Sequence, residues 1–206
     1  MNEAPQGTTA WLMERVGYIT ASRFKDVLDI RKDGKPGASR LRYLSEIVCE
    51  RLTGQPTEHF VNAAMKWGTE HEPVARAAYC AATKNGVTAV GFLKHPTLKA
   101  GASPDGIVDL EGGIEIKCPT SPVHLATLLD GMSEDHLPQV QGAMWITGYD
   151  WWDFVSFDPR MPENLRLHVQ RVKRDDAYIA MLEEKIKAFS DEADAMIAKL
   201  MEKNRG

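Results

Sequence analysis

The sequence is poor in cysteine, and the few cysteines are scattered. Cys49, Cys80 and Cys118 are the three in 206 residues, and no two form a CxxC pair. This odd, widely spaced set argues against a disulfide framework, a zinc site or an iron–sulfur site. The six histidines show no ligand spacing such as HxxxH. We therefore expect a protein of the reducing cytoplasm without a cysteine- or histidine-based metal site.

Membrane signals and excess positive charge are also lacking. The first residues, MNEAPQGTTAW, show no basic-then-apolar signal pattern, and no apolar run approaches the roughly eighteen residues of a membrane span. We therefore expect no membrane partner. The 25 Lys and Arg against 29 Asp and Glu give a net charge of −4. A nucleic-acid partner would thus need locally concentrated positive charge or a bound metal.

The hydrophobic pattern changes from helical to β and back to helical. After a flexible tail over 1–8, it predicts helices over 10–16, 22–30, 39–53, 62–83 (kinked or split at Pro73), 122–130, 135–147 and 175–204. Short strands are predicted over 87–93, 99–103, 107–110, 114–118, 151–157 and 165–172. This order predicts one α/β (α+β) domain over 1–206, with a central mixed β-sheet flanked by helices.

Three local patterns carry further expectations. The segment 31–42, RKDGKPGASRLR, has five basic residues and one acid, which predicts a mobile, locally positive loop. The helix from Ser39 should bury one face, formed by Leu41, Leu44, Ile47 and Val48. The last helix carries an apolar stripe that either packs on the protein's own sheet or forms a subunit contact; its members are Leu182, Ile186, Phe189, Ala193, Met196 and Leu200.

The stretch SPDGIVDLEGGIEIKCP, residues 103–119, combines strand-like apolar residues with two carboxylates and a lysine. Residues i and i+2 of a strand share a face, so Glu115 and Lys117 lie together. We expect Gly112-Gly113 to form a hairpin turn that brings Asp105 to the same end of the sheet. Pro-Asp-Gly is also a common turn and Glu-x-Lys a common exposed pair, so the pattern alone leaves a purely structural role open.

Paired carboxylates would suit a divalent cation. Two buried carboxylates repel each other and need a partner. Mg²⁺ binds one or two carboxylates, keeps several waters and leaves room for phosphate oxygens. A lysine beside such a site can act as a base, if its pKa is lowered, or can stabilise negative charge in the transition state.

The sequence resembles the PD-(D/E)xK nucleases, and more narrowly the phage lambda exonuclease family of viral recombination alkaline exonucleases, which are YqaJ-like. The resemblance covers residues 10–175 and rests on an ordered series of blocks: WLMERVGYITASRF (11–24), NAAMKWGTEHEPVAR (62–76), ASPDG (102–106), IEIKCP (114–119), PQVQGAMWITG (138–148) and FDPRM (157–161). It implies a restriction-endonuclease-like core. It also implies a processive, Mg²⁺-dependent 5′→3′ exonuclease on linear double-stranded DNA, with Mn²⁺ as a substitute ion. Such an enzyme prefers a 5′-phosphate, releases 5′-mononucleotides and leaves a 3′ overhang for phage-type recombination.

The resemblance also implies roles for individual residues. The catalytic set would be Lys117, Glu115, Asp105, Glu72 and Gln139. The metal ligands would be Asp105, Glu115, Glu72 (preferred to Glu70 on its spacing from Trp67) and the backbone carbonyl of Ile116. The 5′-phosphate would be bound by Arg15, Ser22 and Ser103. Met65 would be a wedge between the DNA strands, and Arg31 or Lys32 would follow the minor groove.

Individual residues support these roles without requiring them. Arg15 offers a planar, permanently charged fork suited to phosphate, and Ser22 at a helix start offers a hydroxyl and free N–H groups. Taken singly, Arg15 also fits a solvated helix charge, Ser22 a plain helix cap and Met65 core packing.

The family implies a ring-shaped homotrimer and a phage single-strand annealing protein as partner. Two alternatives remain: a DNA-end-binding recombination subunit that does not cleave, and an endonuclease of the same fold. The intact metal and lysine positions argue against the first. The phosphate and wedge positions favour an end-dependent enzyme over the second.

Overall fold

The computed structural model describes residues 4–57 and 63–204. Its α-helices are α1 (Thr9–Arg15), α2 (Phe24–Val27), α3 (Ala38–Thr53), α4 (Ala63–Thr83), α5 (Ser121–Asp130), α6 (Leu137–Thr147) and α7 (Asp176–Lys203). Its strands are β1 (Ile19–Thr20), β2 (Val87–Thr88), β3 (Leu93–Lys94), β4 (Ala100–Ala102), β5 (Gly106–Val108), β6 (Gly112–Lys117), β7 (Trp151–Phe157) and β8 (Leu167–Lys173). The predicted fold class, a mixed sheet flanked by helices, is confirmed.

The central sheet has five strands in the order β2-β5-β6-β7-β8. β6 runs parallel to β7, and the other neighbouring pairs are antiparallel. A smaller sheet, β1-β4-β3, lies beside it. In β6 the first five residues are buried and only Lys117 is partly exposed. This strand is therefore a rigid central element that leads to the surface at Lys117.

Helices cover both faces of the central sheet. On one face, Ala75 and Tyr79 of α4 pack in a buried cluster with residues of β6 and β7. On the other face, α6 contacts β6 and β7 and belongs to a second cluster with α2, α3 and α7. α4 carries Glu72 and α6 carries Gln139, so the two helix layers approach the end of β6 from opposite sides.

The apolar stripe of α7 packs on helices, which corrects the expectation that it packs on the sheet. α7 contacts α2, α3 and α6, and Phe189 stacks on Tyr43 of α3 at 5.5 Å between ring centroids. Leu182, Ile186, Phe189 and Ala193 are buried, whereas Met196 and Leu200 remain 40% exposed. The predicted start of this helix is confirmed, because the Asp175 side chain caps it by accepting from the Tyr178 N–H at 2.9 Å.

The predicted turn at Gly112-Gly113 is wrong. The chain turns at 109–111, where Asp109 and Leu110 have positive φ, and Val108 pairs with Gly112. Both residues lie in β6, and they are glycines because side chains there would overlap the indole rings of Trp151 and Trp152 in β7. The glycines thus permit close packing of aromatic rings on the central strand rather than a change of direction.

Several element bounds differ from the prediction. The 22–30 helix is a 3-10 turn, Ala21–Arg23, followed by the single helical turn α2, so Ser22 is not a helix cap. The predicted 87–93 strand is two strands in different sheets. α4 continues through Pro73 as one helix and is not split. Its predicted first residue, 62, and residues 1–3 of the predicted tail lie outside the described residues.

Two predicted loops make defined contacts. Residues 4–8 are held in place, since the Gln6 side-chain amide donates to the Pro104 carbonyl at 2.6 Å and the Thr8 hydroxyl caps α1. In the basic segment, a bridge joins Ile30 to Pro36, and residues 38–42 already belong to α3. Within α3, Leu41 is exposed and Tyr43 is buried with Leu44, Ile47 and Val48. The predicted inward face is therefore wrong at Leu41.

Replacing Gly113 by alanine should lower the free energy of unfolding by about 3 kcal/mol, because a Cβ at this position meets the fully buried Trp152 indole. Urea denaturation would measure the change. Gly68→Ala in α4 is the matched control: nothing lies within contact of the added Cβ, and alanine favours a helix by about 0.8–1 kcal/mol, so this variant should be as stable as the wild type or slightly more so. Equal stability of Gly113→Ala and wild type would contradict the packing described for β6.

Candidate active site

The two carboxylates singled out in the sequence are brought together at β6. Asp105 lies between β4 and β5, and Glu115 lies within β6. One Asp105 carboxylate oxygen accepts a hydrogen bond from the backbone N–H of Ile116 at 2.6 Å. This bond fixes Asp105 beside the residue that separates Glu115 from Lys117.

Glu115, Lys117 and Gln139 form a closed hydrogen-bonded group. The Lys117 ammonium donates to Glu115 Oε1 at 2.6 Å and to Gln139 Oε1 at 3.3 Å. The Gln139 amide donates to the same Glu115 oxygen at 2.6 Å. Glu115 is only 4% exposed, whereas about a third of the Lys117 side chain is accessible. The group therefore presents a lysine charge at the surface and keeps its carboxylate inside.

Burial and crowding of negative charge dominate the electrostatics. Burial raises the pKa of Asp105 well above its ordinary value, and Glu115 and Glu72 raise it further, while Lys117 opposes the shift. Burial would lower the pKa of Lys117, but the carboxylates of Glu115, Asp105 and Glu72 outweigh it, so its pKa is raised. Without a cation the lysine therefore keeps its proton.

Glu72 faces the same region from α4 but does not hydrogen-bond to the pair on the sheet. Its carboxylate accepts from Arg76 at 2.7 Å, one helical turn further on. Glu72, Arg76 and Asp105 line one groove, and Glu72 is close enough to raise the pKa of Asp105. Glu70 is exposed on the same helix.

The chemistry of these donors fits a divalent cation. Among the described residues, no group of three or more Asp, Glu, His or Cys side chains is drawn together tightly enough to enclose a metal ion. The candidate donors are the Asp105 and Glu115 carboxylates and the Ile116 carbonyl, with Glu72 at a distance. Burial and then the neighbouring carboxylates raise the pKa of Asp105 although Lys117 opposes the shift, so a bound cation would favour its charged form. Mg²⁺, which binds few protein carboxylates and several waters, suits so small a donor set.

A cavity of about 190 Å³ joins the predicted phosphate-binding residues to the carboxylates. Arg15, Ser22, Ser103, Asp105, Glu115 and Gln139 all line it. Burial lowers the pKa of Arg15, so its guanidinium gains from an anionic partner. Ser22 contributes a hydroxyl that is 3.4 Å from the Thr20 hydroxyl.

Trp11 holds two of the predicted phosphate-binding residues and was not predicted to belong to the site. Its indole N–H donates to the Ser103 hydroxyl at 3.0 Å, and the Arg15 guanidinium lies 3.9 Å from its ring centroid. The sequence signal was present, since Trp11 and Arg15 are four residues apart on α1 and such residues are neighbours on a helix.

The predicted DNA-contacting residues lie outside the cavity at Asp105 and Glu115. Met65 is 49% exposed, which argues against core packing, and it lines a groove together with Arg15 and Ser22. Arg31 and Lys32 lie on the exposed turn before α3, and Arg31 pairs with Asp33 at 3.2 Å. Neither of these two basic residues lines the cavity at Asp105 and Glu115.

The FDPRM block contributes a brace whose residues were not given roles from the sequence. Arg160 donates to both oxygens of the fully buried Asp158 at 2.7 and 3.1 Å and to the Pro119 carbonyl at 3.0 Å. Its guanidinium also lies 4.4 Å from the centroid of the Trp67 ring on α4. One side chain thus joins the ends of β6 and β7 to the helix that carries Glu72.

The hydrogen bonds of Arg160 also change the pKa of Asp158. Burial would raise the pKa of Asp158, but hydrogen bonds from Arg160 and Ser121 outweigh it and lower this pKa to about 2. Asp158 is therefore negatively charged at neutral pH, and it lies beside the segment that follows Lys117.

The fold and this arrangement of carboxylates and lysine define a nuclease-like site, and comparisons with known proteins agree. Residues 10–150 match the YqaJ-like viral recombinase domain. An alkaline exonuclease from Laribacter hongkongensis, LHK-Exo, is 44% identical; the match covers 95% of this chain and 97% of LHK-Exo, with a TM-score of 0.88. The same values hold for LHK-Exo in complex with dAMP.

Two further proteins are similar to this chain. A phage-related exonuclease from Haemophilus somnus 129PT is 18% identical, with 89% of this chain and 96% of that chain covered and a TM-score of 0.67, which supports the fold alone. The uncharacterized protein ExoD of Escherichia coli (strain K12) is 31% identical over 71 residues, which are 34% of this chain and 80% of ExoD.

The chain belongs to the YqaJ-like viral recombinase family, and the resemblance to the lambda exonuclease family is confirmed. Separately, none of the helices in the described part of the chain combines the length and the apolar character that crossing a bilayer requires.

Arg160→Gln should destabilise the protein more at pH 7 than at pH 2. A carboxyl whose folded pKa is depressed stabilises the fold above its unfolded pKa, near 3.9, and this contribution disappears as the pH falls through about 2. Urea midpoints between pH 7 and pH 2 would measure the difference between variant and wild type. Arg166→Gln, an exposed arginine bonded to the Met161 carbonyl, is the control. A deficit that is the same at every pH would argue against the pairing with Asp158.

Proposed function

We propose that this protein is a Mg²⁺-dependent, processive 5′→3′ exonuclease that acts on the ends of linear double-stranded DNA. It prefers a 5′-phosphate, releases 5′-mononucleotides and leaves a 3′ overhang for recombination. The observation that carries the proposal is the single cavity lined by Arg15, Ser22 and Ser103 and by the carboxylates Asp105 and Glu115. An anion-binding pocket that opens directly on a cleavage site suits an enzyme that works from a phosphorylated end.

Family membership supports the same function. LHK-Exo, which matches this chain over nearly its whole length, bears the name alkaline exonuclease. The resemblance adds a ring-shaped homotrimer, which would retain DNA topologically. It therefore explains how a chain with net charge −4 could remain on its substrate without a strongly basic surface. A cytoplasmic location and a phage single-strand annealing partner belong to the same proposal.

In the proposed reaction, Asp105, Glu115 and the Ile116 carbonyl would hold Mg²⁺, and Glu72 would hold a second ion or its waters. When bound, Mg²⁺, or Mn²⁺ in its place, would supply an activated water and offset charge on the phosphate. Gln139 holds Glu115 and Lys117 in place through its two hydrogen bonds. Lys117, as an ammonium, stabilises negative charge that develops on the phosphate.

Two groups of residues would bind the DNA end. Arg15 forms charge-assisted hydrogen bonds with the terminal 5′-phosphate, and the hydroxyls of Ser22 and Ser103 complete the pocket. Met65 separates the end of the duplex, and Arg31 or Lys32 follows the minor groove further along.

The function can be tested with linear duplexes that carry either a 5′-phosphate or a 5′-hydroxyl, and with a closed circle. We expect shortening from phosphorylated ends in Mg²⁺, an untouched circle, and no reaction in EDTA. Cleavage of the circle would instead indicate an endonuclease. Retention of linear DNA in a gel shift without cleavage would indicate an end-binding recombination subunit.

Lys117→Ala should reduce the cleavage rate by about 10²–10³-fold, because it removes the charge beside the scissile phosphate. The variant should remain folded, and its DNA affinity should fall by far less than its cleavage rate. Single-turnover cleavage of a phosphorylated duplex would measure the rate. Lys199→Ala, an exposed lysine on α7, serves as the control. Normal turnover by the Lys117 variant would remove this residue from the mechanism.

Arg15→Ala should abolish most of the preference for phosphorylated ends. The variant loses the charge that binds the terminal phosphate, so its rate on phosphorylated ends should fall by about 10-fold or more, towards the rate on hydroxyl ends. Initial rates on the two substrates would give the ratio, and Arg42→Ala on the exposed face of α3 is the control. A proportional loss on both substrates would show that Arg15 has a structural role through its contact with Trp11.

A further inference from the structure

A second polar cavity is lined by Lys117. It has a volume of about 190 Å³ and is lined by Ser22, Lys25, Lys117, Asp135, His136 and Gln139. Ser22 and Gln139 also line the cavity that holds Arg15 and the carboxylates. Ala21 lines both cavities as well, so the two are neighbours, and Lys117 lines the second one.

The lining of the second cavity is positively charged. Lys25 and Lys117 outnumber Asp135, and Lys25 forms no ion pair with any other described residue. Burial, and after it the nearby charges of Lys117 and Lys25, lowers the pKa of His136 to about 4, although Asp135 opposes the shift. His136 is thus a neutral imidazole at pH 7 and can donate a hydrogen bond through one ring nitrogen.

Lys117 lines the second cavity and bonds to Glu115, which lines the first. An ammonium has three N–H donors, and Glu115 and Gln139 accept two of them. The third can reach an anion at the surface, where about a third of the side chain is accessible. The second cavity therefore offers a further anion one imidazole donor and the charges of Lys117 and Lys25.

Under the proposed function, the terminal 5′-phosphate lies at Arg15 and the scissile phosphate lies beside Glu115 and Lys117. The second cavity adjoins the position of the scissile phosphate, because Lys117 and Gln139 line it. We propose that the cavity lined by Lys25 and His136 binds the backbone phosphate that follows the scissile phosphate in the strand being degraded. This inference rests on the proposed function and adds to it a binding site on the side of the uncleaved strand.

Lys25→Gln tests the site in a double-mutant cycle, in which one change is made in the protein and the other in the DNA backbone. Two 5′-phosphorylated duplexes are compared by fluorescence anisotropy in EDTA; one carries an uncharged methylphosphonate in place of the phosphate after the scissile one. On the normal duplex, the variant should raise Kd by about 5- to 10-fold at 0.1 M salt and should reduce the slope of log K against log salt by about 1. On the modified duplex, wild type and variant should bind almost equally.

Lys199→Gln is the control and should leave both affinities unchanged. An equal effect of Lys25→Gln on both duplexes would overturn the proposal, because Lys25 would then act through a different phosphate. The absence of any effect on the normal duplex would overturn it as well. Wild-type protein that shortens phosphorylated duplexes in Mg²⁺ while Lys25→Gln binds normally would contradict this inference alone. Wild-type protein that neither binds nor shortens them would contradict the proposed function.

Discussion

The hydrogen bond from the Ile116 N–H to the Asp105 carboxylate joins the two halves of the site. Without it, Asp105 would belong to a connection between two short strands, and Glu115 to a separate buried strand. With it, two carboxylates lie close together at β6, and burial, followed by the charges of Glu115 and Glu72, raises the pKa of Asp105. Lys117 and Gln139 donate hydrogen bonds to Glu115. The carboxylate oxygens that are left without such bonds would suit a cation.

Rigid supports hold the parts of the site around this strand. β6 lies between β5 and β7 in the middle of the sheet, and its two glycines let the Trp151 and Trp152 rings pack against it. Arg160 ties the ends of β6 and β7 to α4, which carries Glu72. Trp11 holds Arg15 and Ser103. Groups that act on a substrate are thus positioned by aromatic rings and one guanidinium that are built into the fold.

The long elements could be predicted from the sequence, and the short ones could not. Period and flanking residues located α7, α6 and β7, because each is long enough for its hydrophobic pattern to be unambiguous. β2, β3 and α2 have two to four residues, so tertiary contacts decide their existence. Gly112-Gly113 shows the same limit: the residues are typical of a turn, but packing against Trp151 and Trp152, distant in sequence, places them in a strand.

The site divides in a similar way. Residues whose chemistry depends on local spacing, such as Glu115, Lys117 and Asp105, could be selected from the sequence because a strand puts every second residue on one face. Lys25 could not, since nothing local relates it to Lys117 and only the packing of α2 beside α6 brings it close. The buried carboxylates would be stabilised by a cation, and the lysines beside them by an anion. Under the proposed function, a phosphodiester strand with its metal ion would supply both, which makes the two cavities parts of one proposed substrate path.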